Sequence, residues 1–382
     1  MFRWEHGRWR TTLVLPILSC VIAFMSLPAV SQGNQRSPSS VDKALVDRGD
    51  LLFSTSLTPG QGLGPLFNNS SCIGCHSTPT KGGMGPKGLG TATRIGRLTP
   101  TGFDPMIGRG GPVARTRSVA ERGLPCDIQP GIPLGANVTS VRNAPDLYGK
   151  GLIDLVPDQV IAAGARDKGE GVHGRVNWVE EKEGNKRVGR FGWKADTATL
   201  KQFVADAFRN ELGITSPLAP VDIALSGQPG HHRCFGEGSG PEDDGTMIDA
   251  VTAFIASLPA PRANNGSSRG SILFSTIGCE ACHTPNLPLG SQQLWLYSDL
   301  LIHDMGSELD DKVVQGLATG RDWRTTPLWG LSVRPRFLHD GRARTLMEAI
   351  LAHGGEANSA KQRFLRLQPQ DNDALILFLS NL

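Results

Sequence analysis

The sequence predicts a mainly α-helical protein made of two related domains, the first of which carries a large loop-rich insertion. Two observations lead to this fold class. The motif Cys-x-x-Cys-His occurs twice, from Cys72 to His76 and from Cys279 to His283. Segments that surround the first motif recur, in the same order, around the second. Internal repetition of this kind indicates a duplicated structural unit.

The first repeated segment lies just upstream of each motif. Residues 48–55 are Arg-Gly-Asp-Leu-Leu-Phe-Ser-Thr and residues 269–276 are Arg-Gly-Ser-Ile-Leu-Phe-Ser-Thr, so six of eight positions are identical. Each copy is compatible with a short helix that presents Leu and Phe on one side. We expect this helix in both domains.

Two further repeats complete each domain. Residues 249–258 and 373–382 both begin with Asp-Ala and continue with apolar residues at helical spacing, which predicts a terminal helix. Between the motif and that helix lies a third pair, residues 142–149 and 324–330. Three pairs in one order argue for duplication more strongly than any one of them.

The boundary between the domains is predicted at a turn-rich linker. Pro259-Ala260-Pro261 is followed by residues 264–268, which are Asn-Asn-Gly-Ser-Ser and lack apolar periodicity. We therefore assign residues 32–262 and 263–382 to the two domains. The surplus length of the first domain is placed in an insertion at about residues 167–245.

The repeated motif has the chemistry of haem attachment. Two cysteines on one helical turn can each bond to a haem vinyl group, while the adjacent His is presented to the iron. The motifs therefore predict two cytochrome c-like domains, each with a covalently bound haem c. The thioether residues are Cys72, Cys75, Cys279 and Cys282, and the proximal iron ligands are His76 and His283.

Other uses of paired cysteines fit this sequence less well. A shared zinc site would join two pairs separated by residues 76–278, far beyond the spacing of a zinc ribbon, and would not explain the adjacent histidines. A thioredoxin-like site would need a motif that follows a strand in a βαβ pattern. Neither motif does so.

The sixth iron ligand decides what each haem can do, because two strong ligands make an electron carrier and an open position admits a small oxidant. In the second domain a helix-like stretch ends at His353, before the terminal helix. We expect His353 to be the distal ligand of that haem. His303, Met305 and His339 remain alternatives.

The first domain lacks an equivalent of His353. The repeats align Gly164 and Ala165 with that position, and neither side chain can bind iron. The first haem should therefore be open or take a histidine from the insertion, where His173, His231 and His232 occur. Unequal haems suit a peroxidase, in which one haem cleaves the O–O bond and the other relays electrons.

The N-terminus predicts an export signal. Three arginines within the first ten residues precede an apolar stretch at 11–30, and small residues at 29–31 form a cleavage site. We expect residues 1–31 to be removed and the protein to be periplasmic. A retained membrane anchor is the alternative, because the stretch is about as long as a spanning helix.

Cys126 and Cys234 lie outside both motifs. In an oxidising compartment they could form a disulfide. Two unpaired thiols are an equally open interpretation, because the sequence gives no distance between them.

The charge of the chain limits its partners. There are 39 basic and 36 acidic residues, a formal charge of +3, with no long run of one sign. This balance gives no indication of nucleic-acid binding. The expected partners are a small redox protein or cytochrome as electron donor and peroxide or another small oxidant.

Several segments resemble the di-haem oxidoreductase family, whose members are labelled thiol oxidoreductases or peroxidases and are related to bacterial di-haem cytochrome c peroxidases. The most specific are Arg-Thr-Thr-Pro-Leu-Trp-Gly at 324–330 and Phe-Leu-His-Asp-Gly-Arg-Ala-Arg-Thr-Leu at 337–346. The resemblance extends over nearly all of the mature chain, with further matching segments at 64–69, 189–195, 211–217 and 297–306.

The resemblance implies roles for the two haems. In the related peroxidases a similar His-Asp-Gly segment is followed, at the spacing of His339 to His353, by a Met that ligates the electron-transfer haem. A His at that position implies a bis-His haem of lower potential. The family also makes the N-terminal haem the peroxidatic one. The loop at 166–175 departs from the Asp-rich segment of many members, which puts a bound calcium in doubt.

Together these features favour an oxidoreductase, peroxidase-like, with oxidant chemistry at the first haem and electron entry at the second. Two alternatives use the same haems: an electron-transfer cytochrome with both irons six-coordinate, and an oxidase that modifies residues of a partner protein. The candidate proton-transfer groups are Glu121, Gln129, Glu170 and His173.

Overall fold

Helices and strands share the chain, so the expectation of a mainly α protein is wrong. The computed structural model describes residues 42–86, 90–180, 184–221, 223, 234, 241–262 and 268–382. It is 33% helical and 18% strand, with several sheets, which makes it a mixed α/β fold. The reason is that segments between the expected helices pair as strands, some in hairpins and some with partners distant in sequence.

Among the described residues, each half of the chain, 42–262 and 268–382, has a helix near its start and another near its end. In the first half they are α1 (Lys43–Ser54), α2 (Lys150–Asp154), α3 (Asp158–Ala163), α4 (Leu200–Ala207) and α5 (Thr246–Ser257). In the second half they are α6 (Arg269–Thr276), α7 (Leu346–Leu351), α8 (Asn358–Leu365) and α9 (Pro369–Ser380). A π-helical turn, Phe208–Leu212, extends α4.

A four-stranded antiparallel sheet forms most of the β structure in the first half. Its central strand, β2 (Thr91–Thr99), pairs with β3 (Gly102–Asp104), β4 (Val113–Ala114) and β6 (Val138–Asn143). The register sets Ala92 opposite Arg142 and Thr91 opposite Asn143. This pairing fixes the backbone positions of the polar residues Arg142 and Asn143.

The other strands form two-stranded antiparallel sheets. These are β1 (Leu66–Phe67) with β5 (Arg117–Ser118), β7 (Trp178–Glu180) with β8 (Lys186–Val188), β9 (Asn286–Leu289) with β10 (Gln292–Trp295), and β11 (Ile302–Asp304) with β12 (Asp322–Arg324).

The repeated segments pack alike in the two halves. Helix α1 crosses α5 at Gly49, where an added Cβ would lie 1.9 Å from the carbonyl oxygen of Ala250. Helix α6 crosses α9 at Gly270, where the corresponding distance to Ala374 is 2.2 Å. Glycine is required at both crossings because the two backbones approach so closely.

Each helix pair places a phenylalanine beside a motif histidine. The ring centroids of Phe53 and His76 are 6.4 Å apart, and those of Phe274 and His283 are 6.5 Å apart. The sequence repeats therefore correspond to a repeated packing arrangement around the two motifs.

The buried core of the first half continues into the second. It includes Phe53 and Phe254 together with Leu300, Leu301 and Trp329. A second cluster surrounds Phe274, Phe364 and Phe378. The domain division near residue 262 stays a prediction, and residues 263–267 lie outside the described ranges.

A disulfide joins Cys126 and Cys234, with their Cα atoms 4.7 Å apart. The predicted signal peptide, residues 1–31, lies outside the described residues. Within the described ranges, no helix combines the length and the apolar character that crossing a membrane requires.

Substituting Gly49 with Ala should destabilise the protein by about 1–3 kcal/mol, the usual cost of overpacking a core. The higher helix propensity of Ala would favour the variant by at most about 1 kcal/mol, so the clash with Ala250 decides the sign. Chemical denaturation of the holoprotein measures the change. Gly60→Ala is the control, because its Cβ would meet only the Thr58 hydroxyl, at 4.0 Å. Equal stability of the two variants would contradict the close crossing.

Candidate functional site

The two Cys-x-x-Cys-His motifs line two different cavities. Cys72, Cys75 and His76 line the first cavity, which has a volume of about 200 Å³. Cys279, Cys282 and His283 line the second cavity, of about 470 Å³. The four cysteines are therefore not brought together as a shared zinc site.

Both motif histidines are oriented by a backbone carbonyl. His76 Nδ1 lies 2.9 Å from the oxygen of Pro145, and His283 Nδ1 lies 3.0 Å from the oxygen of Tyr297. A hydrogen bond at Nδ1 leaves Nε2 as the metal-binding atom, an arrangement typical of metal-ligating histidines. Burial lowers the pKa of His76, and burial together with His353 lowers that of His283 to about 4, so both rings are neutral.

His353 lies across the second cavity from His283. It follows α7, and its Nδ1 lies 2.7 Å from the carbonyl oxygen of Ala349. The ring centroids of His283 and His353 are 6.4 Å apart. Imidazoles on opposite sides of one metal ion have ring centres about 6 Å apart, since each metal–nitrogen bond is about 2.0–2.1 Å long. The spacing fits one iron between them.

His303, one alternative to His353, has both ring nitrogens occupied. Its Nε2 lies 2.9 Å from Asp299 and its Nδ1 lies 2.8 Å from Glu356, and the side chain is buried. Burial alone would lower the pKa of His303, but hydrogen bonds to Asp299, Cys282 and Glu356 raise it to about 12. An imidazole that donates from both ring nitrogens to carboxylates has no lone pair for iron.

The other two alternatives also line the second cavity. His339 stacks on the indole of Trp323, with centroids 3.7 Å apart and planes 9° apart. The amide nitrogen of Met305 donates to the carbonyl oxygen of Arg321. Of the alternatives, only His339 and Met305 keep an atom that could bind iron.

The first cavity differs from the second in its metal-binding side chains. Among the described residues that line it, His76 is the only histidine, and there is no methionine or tyrosine. Gly164 and Ala165 do not line it, and Gly164 lies near Leu301 instead. His173 is exposed and also lies outside the cavity wall. His231 and His232 fall outside the described residues.

Glu211 is a site residue that the sequence analysis missed. It is the only carboxylic side chain among the described residues of the first cavity. It belongs to the π-helical turn, a feature common at functional sites, and its Oε2 accepts a hydrogen bond of 2.8 Å from Asn68. Burial of the carboxyl group raises its pKa.

The proton-transfer candidates named from the sequence are absent from the first cavity. Glu121, Gln129, Glu170 and His173 are all exposed, and none of them lines its wall. The only sequence signal for Glu211 is its position at the end of the helix-like stretch at 197–212.

The two cavities share part of one wall. Trp193 and Arg324 line both of them. The Arg324 backbone N–H donates to the Trp193 carbonyl at 2.9 Å, and Arg324 Nε donates to the Gly192 carbonyl at 2.9 Å. Groups bound in the two cavities would therefore be separated by very few side chains.

The donor sets fit a haem in each cavity. Each cavity offers two thiols beside an imidazole whose Nε2 is not used by the protein. Burial raises the pKa of Cys72 and of Cys279 to about 12, so both thiols are neutral. Elsewhere in the described ranges, the loop at 166–175 included, no three His, Cys, Asp or Glu side chains are grouped to hold a metal ion.

Comparison with known proteins gives one family match. Residues 135–382 match the family model described as "Di-haem oxidoreductase, putative peroxidase". Among curated proteins no sequence matches the chain.

Several solved structures are distantly similar. Hydrazine synthase from Kuenenia stuttgartiensis is 14% identical, with a TM-score of 0.41, over 98% of this chain and 100% of the other. A MauG-like protein associated with microbial copper homeostasis is 17% identical, with a TM-score of 0.42, over 89% and 88%. The di-haem peroxidase of Burkholderia thailandensis is 17% identical, with a TM-score of 0.43, over 91% and 88%.

Proposed function

Because this chain belongs to the di-haem oxidoreductase family, it is an oxidoreductase that uses haem, and we propose that its two haems have different tasks. The match confirms the family resemblance inferred from the sequence. In the proposal, the first haem is the site of peroxide reduction and the second is the site of electron entry. The observation that carries it is that His353 accompanies His283 in the second cavity, whereas His76 is the only histidine among the described residues of the first.

The first part of the proposal is covalent attachment. Cys72 and Cys75 would hold one haem with His76 as its proximal ligand, and Cys279 and Cys282 would hold the other with His283. The orientation of both histidines by backbone carbonyls supports these roles.

The second part is the division of labour. His353 would close the second haem from the side opposite His283, supported by the 6.4 Å spacing of their rings. The first haem would keep an open position, supported by the lack of a second histidine, methionine or tyrosine among the described residues of its cavity. A haem iron with an open position supplies the redox chemistry for reducing a peroxide.

Glu211 is the residue that we assign to proton transfer in this reaction. Reduction of hydrogen peroxide to two water molecules consumes two electrons and two protons. The ionised carboxylate of Glu211 would accept the proton of one peroxide oxygen and return it to the leaving oxygen. Asn68 would hold the carboxylate in place through its 2.8 Å hydrogen bond.

Electrons would reach the first haem from the second, one at a time. The expected electron donor is a small redox protein or cytochrome. The second cavity, where its electrons would enter, is larger than the first. Trp193 and Arg324 would separate the two haems, because these side chains line both cavities.

We also propose that the protein acts in the periplasm after cleavage of residues 1–31. The disulfide between Cys126 and Cys234 supports an oxidising compartment, where such bonds persist.

The attachment sites are tested by removing one cysteine pair at a time. Cys72→Ser/Cys75→Ser should leave one covalent haem, because each haem would be attached within its own cavity. Cys279→Ser/Cys282→Ser should also leave one covalent haem. Its spectrum should differ from that of the haem retained in the first variant. Intact mass and haem-stained gels give the number of haems. Two covalent haems in either variant would refute the assignment of that motif.

A further inference from the structure

We propose that Arg142 and Asn143 form a carboxylate-binding subsite in the wall of the first cavity, and that its ligand is a propionate group of the haem held there. This inference rests on the proposed attachment of a haem to Cys72 and Cys75. A propionate bound in this way would be a polar anchor for the haem, in addition to the thioethers and the proximal histidine.

The observation behind this inference is a set of buried polar atoms without partners. Arg142 is 5% exposed and Asn143 is 1% exposed, and both line the first cavity. Nε and Nη1 of Arg142, and both Oδ1 and Nδ2 of Asn143, have no hydrogen-bond partner among the described residues. Buried polar groups are almost always hydrogen-bonded. Three of these atoms, on two adjacent residues, are donors (Arg142 Nε and Nη1 and Asn143 Nδ2), and they therefore indicate a bound acceptor group.

The two residues are held in place by the fold around them. Their strand, β6, pairs with β2, and Nη2 of Arg142 forms an ion pair with Asp311 in the second half of the chain. The Asn143 backbone N–H donates to the His339 carbonyl at 2.7 Å, and Trp193 Nε1 donates to the Asn143 carbonyl at 3.0 Å. The donors without a partner in the described part of the chain, Nε and Nη1 of Arg142 and Nδ2 of Asn143, are thus held in fixed positions.

The charge around Arg142 favours an anion. Asp311 is shared between Arg142 and Lys194, whose Nζ lies 3.3 Å from its other oxygen, so two cations meet one carboxylate. Arg94 also lines the cavity, and its charge acts against that of Arg142, whereas Asp196 acts in its favour, so three cations face two carboxylates. Burial lowers the pKa of Arg142 to about 10, which leaves it charged at neutral pH. A carboxylate would supply the missing negative charge and accept hydrogen bonds from the guanidinium.

Arg142→Gln tests this assignment in the holoprotein. The haem should stay attached through its thioethers, but the midpoint potential of the first haem should fall, because a positive charge near the iron is lost. Its propionate bending mode in resonance Raman spectra should shift, while the propionate mode of the second haem should keep the wild-type frequency. Asn143→Leu should shift the same mode with little change in potential, because no charge is removed.

Asp311→Asn is the matched control. It removes the negative charge opposite Arg142, but the amide oxygen of Asn can still accept the hydrogen bond from Nη2 and hold the guanidinium in place, so the propionate mode should keep the wild-type frequency. If Arg142→Gln and Asp311→Asn instead lower the melting temperature equally and neither shifts the mode, Arg142 only braces Asp311 and the inference is overturned.

The carboxylate of a small molecule that is not part of the haem is the other ligand that could bind to Arg142 and Asn143. If Arg142→Gln weakens the binding of added formate and leaves the propionate mode unchanged, the subsite takes a free ligand and the inference is again overturned. A wild-type protein with no haem on Cys72 and Cys75 would contradict the proposed function itself. Haem content therefore distinguishes the two failures.

Discussion

His353→Ala should convert the second haem from low spin to high spin while leaving it covalently attached. The thioethers and His283 would still hold the porphyrin, but the imidazole that lies 6.4 Å from His283, measured between ring centroids, would be lost. The midpoint potential of this haem should rise, because loss of a strong donor disfavours ferric iron. Carbon monoxide should bind to the reduced second haem of the variant and not to that of the wild type.

The control for this variant is His173→Ala. The His173 side chain is exposed and lines neither cavity, so both haems should keep the spin states of the wild type. A low-spin second haem in His353→Ala would transfer the ligand role to Met305 or His339, which also line the second cavity.

Glu211→Gln should lower peroxide turnover by roughly 10²–10⁴-fold, the usual contribution of a general acid–base group. The amide has nearly the shape of the carboxyl group and can still accept the hydrogen bond from Asn68, but it cannot carry the proton. Haem content and the spectra of both haems should be unchanged. Steady-state kinetics with hydrogen peroxide and a chemical electron donor measure the effect.

The pH profile separates proton transfer from a structural effect. In the proposed reaction Glu211 acts as a base when it is ionised, and burial raises its pKa. Wild-type turnover should therefore fall as the pH decreases through that raised pKa, and Glu211→Gln should lack this limb. Glu121→Gln is the control, because Glu121 is exposed and outside both cavities. Equal loss of activity in the two variants would count against Glu211.

Much of the candidate site could be proposed from the repeats and motifs of the sequence. Cys-x-x-Cys-His is a local pattern, so its residues could be assigned without a fold. The copies of Arg-Gly-x-x-Leu-Phe predicted one helix in each half, and their glycines, Gly49 and Gly270, prove to be the points where that helix crosses the terminal helix. Local spacing was also enough to propose His353 as a ligand, and that role stays a prediction.

The fold class was mispredicted partly because the longest strand pairing of the described residues is not local. Strand β2 pairs with β6, whose residues lie more than forty positions later in the chain, and neither segment has a strong alternating pattern. The same long-range pairing gives Arg142 and Asn143 their positions. Glu211 was missed for a related reason, since its partner Asn68 is 143 residues away and no spacing rule connects them.

The central claim is that the first haem is open and the second is closed, and a cyanide titration of the half-reduced holoprotein tests it most directly. Absorption and EPR spectra identify each haem by comparison with the two double-cysteine variants. We expect cyanide to bind the haem on Cys72 and Cys75 and to block peroxide turnover, while the haem on Cys279 and Cys282 is unaffected. Binding only at the second haem would reverse the two roles, and binding at neither would leave an electron-transfer cytochrome in place of a peroxidase.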